Sequence, residues 1–353
     1  MGSRIVGVKI GASRISAACV ARNGSTRLEQ VAQHPLPPGL VARGEVQDPD
    51  ALAVELKQFF SQHRLPRSPV RLGVASNRIS VRVIELSDIS DPLRIANAVR
   101  FRAQETLPIP LDEAVLDFQL VGERTEADGS IVSRVVVAVA YRDLIERFAR
   151  TASQAGLHVV GIDLEAFALA RALVGAAIPP GSDQPDAAVA VISIGGERST
   201  LAVASASACE FTRVLDWGGR ELTATVARAL DLPLPEADEL KKKLSLSENA
   251  LPGEDEIATL ARPALLGSLQ LFARELVSTL QFYQNQPGAL HVREVVLAGG
   301  TAELPGLSAA LQRLIGVPVR TGDPSAGLSL GKRVQAGGAG PSFAIPIGLA
   351  VAL

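Results

Sequence analysis

The sequence predicts an α/β fold in which two related halves face each other across a cleft. One observation is an internal repeat: VGVKIGASRISAACV from Val6 aligns with AVISIGGERSTLAVA from Ala190, 184 residues further on. The second is the stretch between the copies, whose runs alternate between strand and helix periods. The third is VREVVLAGGTAELPGL from Val292, which reads as a buried strand, a Gly-Gly turn and a helix.

Each copy of the repeat reads as an apolar strand, an Ile-Gly turn (Ile10-Gly11, Ile194-Gly195) and a second apolar strand. Arg14 aligns with Arg198, and Ser16 with Thr200. Glycine hairpins let bare backbone N–H groups approach a ligand, and two facing hairpins can grip an anion from both sides. A Pro-rich connection (His34 to Pro38) and a helix over about Pro49–Gln62 follow the first copy. Strands are expected at Val70–Ala75 and Ser80–Leu86, then a helix over Pro92–Thr106 with Asp91 as its cap. Further strands at Val115–Val121 and Ile131–Ala140 flank the Asp128-Gly129 turn, and a helix over Tyr141–Ala155 closes the block. Residues 35–155 therefore read as a self-contained α+β insert that could be excised without cutting the core sheet.

A helix from Leu164 to Val174 and a linker from Gly175 to Pro185 lead into the second copy. Beyond Trp217-Gly218-Gly219 come a charged helix around Glu236–Leu244, a loop at NALPGEDE and a long helix from Arg262 to Asn285. The apolar end, FAIPIGLAVAL, is too short to cross a bilayer and reads as a packed terminal helix. The expected division is a first core of 1–34, 156–180 and 326–353, the insert of 35–155, a second core of 181–225 and 286–325, and a helical part of 226–285.

Composition sets the outer limits. With 353 residues, 47% hydrophobic and 20% charged, the chain is globular and long enough for two or three domains. A formal net charge of −2 gives no electrostatic case for nucleic acid. Cys19 and Cys209 read as reduced, buried thiols, and four isolated histidines offer no metal framework. No apolar run nears 18 residues, so a membrane role is expected to pass through a partner.

Taken together, hairpin, insert, second hairpin and late strand-Gly-Gly-helix resemble the actin-like ATPase superfamily, a ribonuclease H-like duplicated fold around a nucleotide cleft. Within it the chain is similar to the PilM family of type IV pilus assembly, relatives of FtsA. RGEVQDPDALA from Arg43, FRAQETLPIPLDEAVLDF from Phe101, GIDLEAFALARAL from Gly161, WGGRELT from Trp217, EADELKKKL from Glu236 and LAGGTAELPGL from Leu297 carry the likeness. The resemblance implies ATP or ADP as cofactor. Gly11, Ala12 and Ser13 would form the first phosphate loop and Gly195, Gly196 and Glu197 the second, with Gly299, Gly300 and Thr301 beneath the adenosine. Asp238 and Lys241 match positions that reach ribose and adenine, unless they are a solvated helix end. Asp163 and Glu165 match the segment that positions the attacking water.

Two departures bear on chemistry. Where hydrolysing relatives carry Asp before each Ile-Gly, this chain has Lys9 and Ser193. Without those carboxylates, magnesium would be weakly held or absent, and losing positioned acid-base help alone costs about 10² to 10⁴ in rate. Lys9 either neutralises a phosphate or pairs with an acid, Asp163 being the candidate. Arg14 and Arg198 are phosphate ligands by type, but they sit where the chain turns outward and read as solvated tips.

By resemblance the chain is a cytoplasmic scaffold, peripheral at the inner face of the cytoplasmic membrane. It would grip the N-terminal peptide of a PilN-like partner in a groove between the first core and the insert, alongside other pilus inner-membrane and motor components. Ser80, Val81 and Val83, the helix Pro92–Thr106 and the segment Leu107–Leu111 are the expected surface, with Phe101 and Leu107 either anchors or core. Self-association stays open. The competing readings are an ATP-driven conformational switch and a small-molecule kinase, the latter opposed by the lack of an evident catalytic base.

Overall fold

The computed structural model describes residues 3–87, 89, 91–106, 109–126, 128–177, 187–205, 208–247, 256–334 and 338–352. The first half opens with a meander: β1 (Ser3–Ile10), β2 (Arg14–Asn23) and β3 (Ser25–Pro35) run antiparallel in turn. A short ladder, β4 (Val41–Ala42) with β5 (Glu45–Val46), leads to α1 (Pro49–Gln62). Asp48 caps this helix, its carboxylate accepting the Ala51 N–H at 3.0 Å. Next, β6 (Val70–Val74) returns parallel to β1.

The chain then builds β7 (Ile79–Ser87), α2 (Pro92–Thr106), β8 (Ala114–Thr125) and β9 (Ile131–Tyr141). As expected, Asp91 accepts from the Arg94 N–H at the start of α2. Then α3 (Arg142–Gln154) and β10 (Val159–Leu164) rejoin the first half, and α4 (Glu165–Ala177) crosses to the second. There β11 (Ala187–Ile194), β12 (Ser199–Ala204) and β13 (Cys209–Leu215) repeat the meander. Helices α5 (Gly219–Leu230), α6 (Leu234–Lys241) and α7 (Glu256–Gln284) precede β14 (His291–Ala298), α8 (Leu307–Ile315) and β15 (Val319–Thr321). Finally β16 (Ser329–Leu330) and α9 (Ala344–Val351) return to the first half.

Among the described residues the strands form two large sheets, β10-β6-β1-β2-β3-β16 and β13-β12-β11-β14-β15. The repeat extends to register, because Lys9 pairs with Ser16 and Ser193 with Thr200 at the same point of each hairpin. Both sheets continue the meander into a third strand, β3 and β13, where the sequence showed only connections. Between the sheets lie α4 and α9, whose side chains share one core with β11, β12 and β14. The expected linker falls at 175–185, of which 178–185 lie outside the described residues, as does most of the NALPGEDE loop at 249–256. Cys19 is buried and Cys209 half-buried, and neither is in a disulfide.

The insert is smaller than residues 35–155. Its own sheet has the order β7-β9-β8, with α2 packed on one face through Ile95 and Val99. By contrast β6 lies between β1 and β10 in the first sheet, and α1 and α3 pack into the first core through Leu52, Phe59, Leu144 and Phe148. A five-residue strand such as VRLGV reads alike in either sheet, and only its parallel pairing, Val6↔Val70, decides its place. The chain enters and leaves the insert side by side, since Ile79 pairs with Ala140.

Replacing residues 79–140 by a short Gly-Ser linker is therefore expected to leave a cooperatively unfolding protein. Excision of 35–155 removes β6 from mid-sheet and should abolish the transition, as followed by circular dichroism on heating.

Candidate functional site

The two glycine hairpins meet tip to tip. Each is closed by one bond, Gly11 N–H to the Arg14 carbonyl at 2.9 Å and Gly195 N–H to the Arg198 carbonyl at 3.0 Å. A Cβ on Gly196 would lie 3.0 Å from Ser13 Oγ, so an anion between the tips touches both halves. The carbonyls of Gly195 and Gly196 accept from the Gly219 and Arg220 N–H groups at the start of α5. In a trans peptide the N–H points opposite to the carbonyl, so the N–H groups of Gly196 and Glu197 are turned away from α5. Neither has a backbone acceptor among the described residues. Such free donors suit an oxyanion.

Behind the hairpins the backbone is packed too closely for side chains. A Cβ on Gly218 would stand 2.6 Å from the Gly196 carbonyl oxygen, and one on Gly219 2.6 Å from Thr301 Oγ1. Gly299 has φ +85°, and a Cβ there would meet the Ile194 carbonyl at 2.4 Å. Thr301 Oγ1 donates to the Gly195 carbonyl at 3.2 Å, tying the Gly-Gly turn to the second hairpin. Gly11, Ala12, Ser13, Gly195, Gly196, Glu197, Gly299, Gly300 and Thr301 thus gather around one cleft.

Asp238 and Lys241 reach the same wall but bind each other at 2.8 Å. The Lys241 ammonium also donates to Thr223 Oγ1 at 2.7 Å and to the Gly219 carbonyl at 3.1 Å. Burial alone would raise the Asp238 carboxyl, but hydrogen bonds and charge from Lys241 and Lys242, with help from Thr223, outweigh it and hold it well below the usual carboxylate range. Lys241 is largely buried while Asp238 stays partly exposed, so the pair is a half-buried helix end rather than a fully solvated one.

Lys9 makes an ion pair at 3.3 Å with Glu165 rather than with Asp163. Glu165 is 5% exposed and also receives Thr200 Oγ1 at 3.4 Å, so a buried carboxylate joins the two halves. Asp163 is turned elsewhere: Arg171, one helix on, takes its carboxylate. It is not part of the cleft. Arg198 is also misread as a solvated tip, since its Nε pairs with Asp216 at 2.8 Å while its Nη1 reaches the Arg43 carbonyl in the first half. Thr200 carried a sequence signal in its alignment with Ser16, whereas Arg43 as acceptor carried none. These groups suit an anion better than a divalent ion, because the nearest carboxylate is already taken by an ammonium.

A second candidate site lies on the other side of the 164–166 segment. A cavity of about 450 Å³ is lined by Val74–Asn77 and Ile79 from the first half, Leu164 and Ala166, and by Thr200, Thr212–Val214, Asp216 and Glu275 from the second. By strand alternation Val81 and Val83 continue the face of Ile79, while Ser80 points to the opposite face. Phe101 is 62% exposed on α2, hence not core, and does not join the β7 residues. Leu107 lies outside the described residues.

Comparison with known proteins places these features in context. The family model for type IV pilus assembly protein PilM matches residues 7–352. Among solved structures, the PilM-PilN type IV pilus biogenesis complex is 28% identical with a TM-score of 0.80, covering 98% of this chain and 97% of that one. FtsA of Pseudomonas aeruginosa is 27% identical over 363 residues, which is 92% of this chain and 84% of FtsA. MreB5 of Spiroplasma citri bound to ADP shares the fold at 12% identity, with a TM-score of 0.56 over 98% of this chain and 94% of that one. The expected actin-like fold is thereby shown.

The Lys9–Glu165 pair yields a stability test by urea denaturation. Lys9→Met leaves a buried carboxylate without its counter-charge and is expected to cost about 3 kcal/mol. Adding Glu165→Gln should recover about 1 kcal/mol or more, and strictly additive losses would show that the groups do not interact.

Proposed function

The chain belongs to the type IV pilus assembly PilM family, and from that premise we propose that it is a scaffold which holds the N-terminal cytoplasmic peptide of a PilN-like membrane partner. The observation that carries this reading is the cavity between the two halves, which the insert borders through Ile79. An extended peptide obtains affinity from backbone bonds and a few anchoring pockets. The cavity offers both, through the exposed turn at Asn77 and apolar walls at Val74, Ile79, Leu164 and Ala166. No helix among the described residues is long and apolar enough to cross a membrane. On this reading, membrane attachment passes through the partner, at the cytoplasmic face.

Adenine nucleotide is the second ligand of this reading, and it would supply a polyphosphate that bridges the two hairpins. The free N–H groups of Gly196 and Glu197 would hold that anion, with Gly300, whose side-chain position meets only Arg14, leaving room beside it. Lys9 stands where relatives place an acid and is balanced by Glu165, so this part of the cleft needs no divalent ion, and Glu165 is engaged by Lys9 rather than free to orient water. Binding without turnover follows. The competing switch reading, in which ATP closes the two halves and changes partner affinity, needs the cleft to bind ATP despite Lys9 and Ser193; only its residual turnover is opposed by this pairing.

Anisotropy of a labelled PilN-type N-terminal peptide tests the scaffold reading. Thr212→Trp, which fills the cavity from β13, is expected to weaken binding by about tenfold or more. Phe101→Ala, on the outer face of α2, should change it by less than about twofold. The reverse pattern would move the site to α2.

For the cleft, no phosphate release from ATP above buffer background is expected, and nucleotide affinity in calorimetry should be nearly the same with Mg²⁺ and with chelator. Lys9→Asp combined with Ser193→Asp should make binding depend on Mg²⁺, because two carboxylates then face the phosphates. A parent as Mg²⁺-dependent as this double variant would refute the assignment of Lys9.

A further inference from the structure

Most cations around the cleft are already matched by acids. Lys9 has Glu165, Lys241 has Asp238, Arg198 has Asp216 and Arg220 has Glu197. Arg14 differs. It opens β2 just beyond the first hairpin, and among the described residues its guanidinium has only a neutral partner, Gln33 Oε1, at 3.1 Å. Gln33 is itself held, its amide donating to Ser342 Oγ at 3.0 Å. The guanidinium is thus oriented without being neutralised.

Its direction matters as much as its charge. Arg14 belongs to the first half, yet its Nη1 lies 3.7 Å from where a Cβ on Gly300 would stand in the second half. It therefore spans the cleft beside the Gly-Gly turn, next to the hairpin tips where Ser13 and Gly196 converge. A carboxylate partner would have cancelled its field. The amide tether leaves the positive charge of the guanidinium unmatched by an acid beside Gly300, near the converging hairpin tips.

We propose that Arg14 is the side chain that binds the diphosphate group of a ligand in this cleft, bridging the two halves in place of a metal ion. This rests on the reading that the cleft takes a nucleotide. A guanidinium presents paired N–H donors to phosphate oxygens and stays charged at any accessible pH, so it serves without magnesium. The chemistry recognised is a diphosphate, whether carried by an adenine nucleotide or free.

The test is calorimetric titration of the full chain in chelator, with ADP in one arm and inorganic pyrophosphate in the other. Arg14→Gln is expected to weaken ADP by about tenfold or more, while Arg14→Lys, which keeps the charge but loses the fork, should fall between. Arg14 is exposed, so thermal unfolding of both variants should match the parent. Pyrophosphate losing affinity in step with ADP assigns the contact to the diphosphate. If the parent binds ADP and Arg14→Gln binds it equally, the proposal fails while the nucleotide reading stands. If Arg14→Gln weakens ADP but leaves pyrophosphate unchanged, the contact is to adenosine and the proposal is overturned. A parent that binds neither ligand overturns the nucleotide reading and this proposal together.

Discussion

Two helices lying between the sheets, α4 and α9, fix the relation of everything else. They approach so closely that a Cβ on Gly348 would stand 1.8 Å from the Ala168 carbonyl oxygen, and one on Gly7 would stand 2.1 Å from that of Pro346. Backbone contact at that range requires glycine. First strand, junction helix and last helix become one block, and α4 begins at Glu165. Its carboxylate is thereby set beside Lys9 and Thr200. At the other end of α9, guanidiniums of Arg71 and Arg171 reach the Leu349 and Gly348 carbonyls at 3.1 Å each, with Arg22 on the Val351 carbonyl. These donors satisfy carbonyls that a helix end leaves unpaired, and their charge favours its dipole. Arg171 holds Asp163 in the same cluster, which is why that carboxylate is not available to the cleft.

With the block fixed, cleft electrostatics follow from one exchange of sign. Two facing carboxylates would repel each other in a partly buried space and would need a cation to settle. With Lys9 and Ser193 the demand vanishes, because the ammonium satisfies Glu165 inside the protein. The cleft is then self-sufficient. Cross-cleft bonds from Thr200 to Glu165 and from Arg198 to the Arg43 carbonyl can persist without a metal. The two halves are thus held together by the protein's own polar groups.

Much of this was legible in the sequence because repetition and periodicity are local signals. The hairpin repeat gave not only two halves but the paired positions Lys9 and Ser193, and Asp91 announced its helix. What escaped was decided by long-range partners. Val70–Val74 is apolar enough for any sheet, and its parallel partner is 64 residues away at Val6. Lys9 had two acids two residues apart to choose from; a continuous strand would have put both on one face, and only the change from β10 to α4 at Glu165 turns their carboxylates apart. Arg198 looked solvated because its partners, the Asp216 carboxylate and the Arg43 carbonyl, lie 18 and 155 residues away in the chain. Residue type names the chemistry, and only topology says which partner claims it.

The two candidate sites share a wall. Leu164 and Ala166 line the cavity while Glu165, between them, faces Lys9. Thr200 lines the cavity and donates to Glu165, and Asp216 lines it while holding Arg198 of the second hairpin. An occupant that shifts this short segment must therefore act on the groups that close the cleft, with no long chain of intermediates. Any such coupling is reciprocal, and a few hydrogen bonds and one ion pair set its scale at about 1 to 3 kcal/mol. That is enough to bias which ligand is held first and too little to drive mechanical work. On the proposed reading, the two ligands would adjust each other's affinity.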